Sequence, residues 1–198
     1  MPETFAALDQ LVAQGKLQYY GVSVQKVEEA LKAIEFPNVQ SVQIVYNLFR
    51  QRPADLFFQQ AQQRQTAVIA RVPLASGMLT GKMKPDTQFN KDDHRFFNRK
   101  GEVFDRGETF AGVDYATGLD AVDVLRPLVP AGTSLAQFAL RWILMSSAVT
   151  CTIPGARRPE QVEDNAAAAD LPPLTTETMI RVKEIYDQMV RSQVHHSW

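Results

Sequence analysis

The chain has 198 residues, 45% hydrophobic and 22% charged, with a formal net charge of -1. That is ordinary globular composition, sufficient for one sizeable core. The balanced charge gives no electrostatic reason to expect a nucleic-acid partner or an acidic membrane surface.

In chain order, ETFAALDQLVAQGK (3–16) carries Phe5, Leu8, Leu11 and Val12 at helical spacing, with Gly15 placed to cap its end. YYGVSV (19–24) reads as a strand and VEEALKAIE (27–35) as a short amphipathic helix stopped by Pro37-Asn38. VQIVYNLF (42–49) is apolar almost throughout, the pattern of a strand buried on both faces. ADLFFQQAQQRQ (54–65) is helical, and AVIARVPL (67–74) is strand again. From Lys84 to about Glu108 periodicity is lost, and a loop of that length is usually functional or disordered. Helical spacing returns over 121–128 and strongly over 133–146, where Thr133 or Ser134 can cap. Phe138 and Trp142 in that helix read as core. The strand VTCTI (149–153), a helix opening at Pro159 and an amphipathic helix over 175–192 complete the chain, with no linker or low-complexity tract.

Cys151 is the single cysteine, which excludes an internal disulfide and fits a reducing compartment. Placed inside an apolar strand, it is expected to be a small buried hydrophobe. No apolar run approaches the ~18 residues of a membrane span, and no secretory pattern opens the chain. A soluble, cytoplasmic protein with no membrane partner is expected, and no metal site is read.

Four strands, each followed by a helix, argue for a parallel sheet in an α/β fold. A closed (β/α)8 barrel takes about 250 residues and eight such units. Here there are four, preceded by a helix with no strand before it. The expectation is one partial domain over 1–198, a chain that starts in the middle of a fold.

The segments GKLQYYGVSV, VQIVYNLF, RVPLASGMLTGK and SLAQFALRWILMSSAVTCTIPGARRPEQVEDN resemble, in order and spacing, the C-terminal half of the aldo-keto reductases. The PLASGMLTGK and IPGARRPEQVEDN blocks together make the resemblance specific. It implies a TIM-barrel fold, of which strands five to eight and their helices are present as a half-barrel. It also implies NADPH-dependent reduction of aldehydes or ketones by hydride transfer. The family's catalytic Asp, Tyr, Lys and His belong to the first four strands and their loops. No catalytic residue is therefore assigned, and His94, His195 and His196 receive no role.

The resemblance supplies the cofactor half of a site. Ser23 matches a Ser that hydrogen-bonds the nicotinamide carboxamide, with Val24 where an Asn usually follows. Gln43 matches a Gln reaching the same carboxamide; a solvated strand-end Gln is the alternative. Arg71 stands where many members stack an aromatic on the nicotinamide ring. It can lie flat on that ring, pair with phosphate, or simply be salt-bridged. Leu74, Ser76, Gly77, Leu79, Thr80 and Lys82 form the loop that folds over the pyrophosphate, where Gly77 permits close backbone approach and Lys82 adds charge.

The last block explains why a nearly neutral chain sets Arg157 and Arg158 side by side in a strand-to-helix turn. In the family this turn binds the adenosine 2′-phosphate and adenine, and guanidinium donors beside a helix N-terminus suit a dianion. Gly155, Arg157, Gln161, Asp164 and Asn165 fall on the pattern; two solvated surface arginines are the plainer alternative. A 2′-phosphate favours NADPH over NADH. Phe89, Phe96, Phe97 and Phe104 lie in the long loop that shapes the substrate mouth in the family.

Three functions remain open on sequence: the cofactor half of a carbonyl reductase, a nucleotide-binding or interaction module without chemistry, and a truncated product. The partners expected are a small carbonyl substrate and, through open barrel edges, a second copy. Val42, Ile44, Val68 and Thr150 are the expected lining of the exposed apolar surface.

Overall fold

β-branched and small residues form four short strands, β1 (Tyr20–Ser23), β2 (Val39–Val45), β3 (Ala67–Arg71) and β4 (Val149–Thr152). In the computed structural model, which describes residues 2–198, they make one parallel sheet in the order β1-β2-β3-β4. Helices alternate with them: α1 (Pro2–Ala13), α2 (Val27–Ala33), α3 (Phe57–Gln63), α4 (His94–Phe97) and α5 (Tyr115–Leu125). α6 (Leu135–Leu144), α7 (Pro159–Ala167), α8 (Thr176–Ile185) and α9 (Arg191–Val194) follow. Each parallel neighbour is reached by a crossover, and right-handed crossovers keep the helices on one side of the sheet.

That sidedness decides burial. Val42, Ile44, Val68 and Ala70 are at most 1% exposed, under α2, α3 and α6. Trp142 stacks on Tyr46 at 5.0 Å, and Phe58 meets Tyr46 edge-on at 4.7 Å. Phe138 is fully buried, as its helical spacing predicts. The opposite face carries Gly21, Ser23, Ser41, Gln43, Ile69 and Cys151, all exposed or half-buried. Register puts Ser23, Gln43, Ile69 and Cys151 in one row across that face.

Four expectations are corrected here. β2 begins and ends earlier than 42–49, and on the face away from the helices Val45 is buried while Ser41 and Gln43 are only half-buried. Val42, Ile44 and Val68 line the core, not an exposed surface. Thr150 is exposed, but as the bulged residue of β4: Val149 pairs Val68, Cys151 pairs Ile69, and Val68 N donates to Thr150 Oγ1 at 3.2 Å. Cys151 is exposed because this bulge on an edge strand leaves it in register with Ile69, on the face away from the helices.

The ends of elements follow their side chains. Gly15 takes φ 70°, and Lys16 N closes on Leu11 O at 3.0 Å, ending α1 as the sequence predicts. Ser134 caps α6 by accepting from Gln137 N, while Gln137 Oε1 accepts from Ser134 N. α5 starts six residues before 121, because Asp114 Oδ1 accepts from the amides of Ala116 and Thr117. The expected helix over 175–192 is broken by a π-turn at Tyr186–Val190. Its wider i→i+5 spacing keeps Tyr186, Val190 and Val194, four residues apart, all buried on one side.

The segment from Lys84 to Glu108 is ordered by polar side chains instead of periodicity. Asn98 is fully buried, accepts from Val103 N and Phe104 N, and donates to Thr109 Oγ1. Arg95 lies 4.7 Å over the Phe89 ring, and Phe97 meets Phe104 edge-on. No helix among the described residues is long and apolar enough to cross a membrane.

Phe138→Ala is expected to cost about 3–5 kcal/mol by opening a cavity, and Ser134→Ala about 1 kcal/mol by removing the cap. Urea unfolding of the two variants checks the ratio.

Candidate functional site

All four strands point the same way, so the residues after each strand gather at one end of the sheet. At the end of β1 and β2, Gln43 Nε2 donates to Ser23 Oγ at 3.3 Å, with both side chains open to solvent. An amide and a hydroxyl held side by side on an uncovered face can meet a ligand amide. Val24 N continues the ladder to Gln43 O, so Val24 offers no amide side chain in place of an Asn.

After β3 the chain turns through left-handed backbone. Val72, Ala75, Ser76 and Gly77 have φ of 53°, 46°, 56° and 92°. Such a conformation is costly for a β-branched residue and tends to cluster at functional sites. Asn47, fully buried, holds the bend: its Nδ2 donates to Val72 O at 2.8 Å and its Oδ1 accepts from Phe49 N. Ser76 Oγ donates to Glu108 O and accepts from Phe110 N, so its hydroxyl anchors the long segment. The Gly77 and Leu79 amides both donate to Leu74 O, and the Leu79 side chain is fully buried in the core. Lys82 is exposed. Among the expected loop residues, Leu74, Ser76, Gly77 and Lys82 keep surface that a ligand can reach, and Leu79 does not.

Arg71 is found in its salt-bridged form. It is 9% exposed, its Nη1 meets Glu108 Oε1 at 2.5 Å, and its Nη2 donates to Val24 O and Gln25 Oε1. Its charge is thus neutralised inside the protein instead of being offered to a phosphate. Glu108, Gln25 and Asn47 were not singled out from sequence. Glu108 and Gln25 come from segments with no helical or strand period, and only the fold brings them to Arg71.

After β4, which neighbours β3, the chain leads through Gly155 into the N-terminus of α7. Gln161 Oε1 accepts from Arg157 N at 2.8 Å and Arg158 N at 3.2 Å, so it caps the helix and leaves its own Nε2 free to donate outward. Both arginines are exposed; among the described residues the carboxylate paired with Arg158 is that of Glu160, at 3.9 Å. Ala156, Arg157, Arg158, Pro159, Val162 and Glu163 line a shallow depression there. Asn165 is half-buried one turn beyond Gln161, and Asp164 is exposed. Two solvated guanidiniums at a helix N-terminus make an anion-binding arrangement.

The histidines give no second site. His94 Nε2 lies 3.4 Å from Ser76 Oγ. His195 sits between Tyr186 OH at 2.9 Å and Asp55 at 3.0 Å, an arrangement like a relay. Burial drives the Tyr186 hydroxyl up to about 12, and the side chain is 1% exposed, so it cannot act on an external substrate. Among the described residues no group of three or more His, Cys, Asp or Glu could hold a metal ion.

A parallel sheet with ligand-accessible groups gathered beyond its strand ends defines an α/β protein, and the match of its fold to a solved relative makes it of the TIM-barrel type. The chain belongs to the aldo/keto reductase family, whose sequence model matches residues 1–187. It is similar to L-glyceraldehyde 3-phosphate reductase of Escherichia coli O157:H7, at 30% identity over 190 residues, 93% of this chain and 54% of that protein. It is also similar to aldo-keto reductase yakc of Schizosaccharomyces pombe, whose name carries NADP(+), at 25% identity over 91% of this chain and 52% of that one. The solved glycerol dehydrogenase of Gluconobacter oxydans superposes with a TM-score of 0.71 at 29% identity, over 92% of this chain and 53% of that one. The chain thus spans about half the length of these relatives.

One acid ties the long segment to the site. Asp93 caps α4, and paired Arg95, which also donates to Ser76 O, holds its carboxyl down at about 2. A depressed pKa contributes stability that is present above the ordinary value of 3.8 and is lost as pH falls toward about 2. Urea unfolding across that window is expected to show wild type losing its advantage over Asp93→Asn.

Proposed function

We propose that this chain is the cofactor-binding half of an NADPH-dependent aldo-keto reductase. In this reading its four strand–helix units are strands five to eight of a (β/α)8 barrel, and the uncovered sheet face is the inside of that barrel. The arginine pair at the start of α7 carries the proposal, being exposed and with only a distant carboxylate near it.

The residues fit the nucleotide by chemistry. Arg157 and Arg158 supply charge-assisted donors for a 2′-phosphate, aided by the helix N-terminus. Gln161, through its free Nε2, and Asn165 face the adenine end, with Gly155 and Asp164 flanking them. Lys82 and the backbone about Gly77 and Leu74 serve the pyrophosphate; Ser76 and Leu79 support that loop from within. Ser23 and Gln43 serve the carboxamide. When bound, NADPH supplies the hydride that reduces an aldehyde or ketone. Arg71, neutralised by Glu108, supports the nicotinamide end by position and not by charge. The proton donor for the developing alkoxide belongs, by the resemblance, to the half that these residues do not represent.

A second reading, a nucleotide-binding module without chemistry, is favoured by that same division: every residue the resemblance assigns here binds cofactor and none moves a proton. Open edges at β1 and β4 offer unpaired backbone groups for pairing, to a second copy or to a complementary half.

Replacing Arg157 and Arg158 together with Ala is expected to weaken NADPH by roughly tenfold or more while leaving NADH almost unchanged. Calorimetric titration of both cofactors checks this, and equal losses would count against the arginine assignment.

The purified chain alone is expected to oxidise no NADPH with aldehyde substrates and to scatter light as more than a monomer. A monomer that turns over would overturn the half-barrel reading.

A further inference from the structure

Glu108 matches no position of the nucleotide-binding pattern, yet it joins three elements that carry such positions. Its Oε1 accepts from Arg71 Nη1 and from Gln25 Nε2, each at 2.5 Å. Its main-chain oxygen accepts from Ser76 Oγ at 3.0 Å, and the same hydroxyl accepts from Phe110 N at 3.1 Å. Arg71 in turn donates through Nη2 to Val24 O at 3.0 Å and to Gln25 Oε1 at 2.9 Å. One residue of the long segment therefore closes over the end of β1, the end of β3 and the left-handed bend.

The pair is well placed to be strong. The Arg71 and Glu108 side chains are 11% and 24% exposed, so solvent screens them little. Arg71 Nε is buried and has no partner among the described residues, so the guanidinium depends on Glu108, Val24 and Gln25 for its orientation. Removing Glu108 would leave a buried cation uncompensated beside Val24, the residue that follows Ser23.

We propose that Glu108 is a positioning residue for the nicotinamide end of the nucleotide. It fixes Arg71 and the Ser23–Gln25 turn, presents Ser23 to Gln43 in register, and holds the segment before Phe110 closed across the strand ends. The proposal rests on the nucleotide reading above.

The test uses the whole chain and Glu108→Gln, which keeps size and removes charge. Without added nucleotide, hydrogen–deuterium exchange over residues 105–112 is expected to speed up by about tenfold or more, led by the Phe110 amide. Unchanged exchange overturns the proposal, whatever binds elsewhere. With nucleotide, NADPH affinity is expected to fall roughly tenfold. Adenosine 2′-monophosphate, which carries no pyrophosphate and so engages only the turn at 155–165, should bind as before. Equal loss for both ligands means general destabilisation and overturns the positioning role. In an Arg71→Leu background, Glu108→Gln should cost no further NADPH affinity; a further loss of the same size overturns action through Arg71. If Glu108→Gln does not fold, Gln25→Ala removes two bonds of the cluster, one to Glu108 and one from Arg71, keeps the Arg71–Glu108 pair, and is expected to move the same readouts in the same direction by less. A wild-type chain that binds neither ligand overturns the nucleotide site, and the positioning role with it, a result separate from the exchange measurement.

Discussion

The left-handed bend after β3 is the constraint on which this end of the molecule depends. Residues held at such φ values cost on the order of 1–3 kcal/mol each when they are not glycine, and they persist only if their surroundings over-determine them. Three do so here. Asn47 grips Val72 O from a fully buried position, Ser76 Oγ bridges Glu108 and Phe110, and Met78 and Leu79 sink into the core just beyond. The bend takes the chain off the end of β3 and leaves Lys82 exposed and Gly77 half-buried just beyond it.

Polar side chains, more than apolar ones, hold the segment that crosses over this bend. Arg50 is 1% exposed, lies 3.9 Å over the Trp198 ring, and donates to Ala111 O and Gly107 O. Trp198 Nε1 donates to Asp105 Oδ1. Burial lowers the Arg50 pKa, and the nearby Asp105 charge offsets part of that cost. Networks of this kind specify one arrangement because each member is expensive to leave unpaired. They link the last residue of the chain to Glu108 through a handful of side chains.

Sequence periodicity was a sound guide wherever burial alone decides structure. The four strands, the capped helix at Ser134 and the core places of Phe138 and Trp142 all follow from alternation and spacing. It failed where a single side chain or one extra residue decides. Asp114 starts α5 in a polar run, the π-turn at Tyr186–Val190 hides inside a helical period, and the Thr150 bulge moves Cys151 to the open face. The arginine turn stood out because two adjacent like charges need a reason. Glu108 did not, since nothing along the chain pairs it with Arg71, 37 residues away.

Cys151 is the only thiol among the 198 residues, and it stands in the row with Ser23, Gln43 and Ile69. A spin label or fluorophore placed there needs no other cysteine removed. Its mobility or emission would report directly whether anything, a second copy or a complementary set of strands, comes to rest on that face.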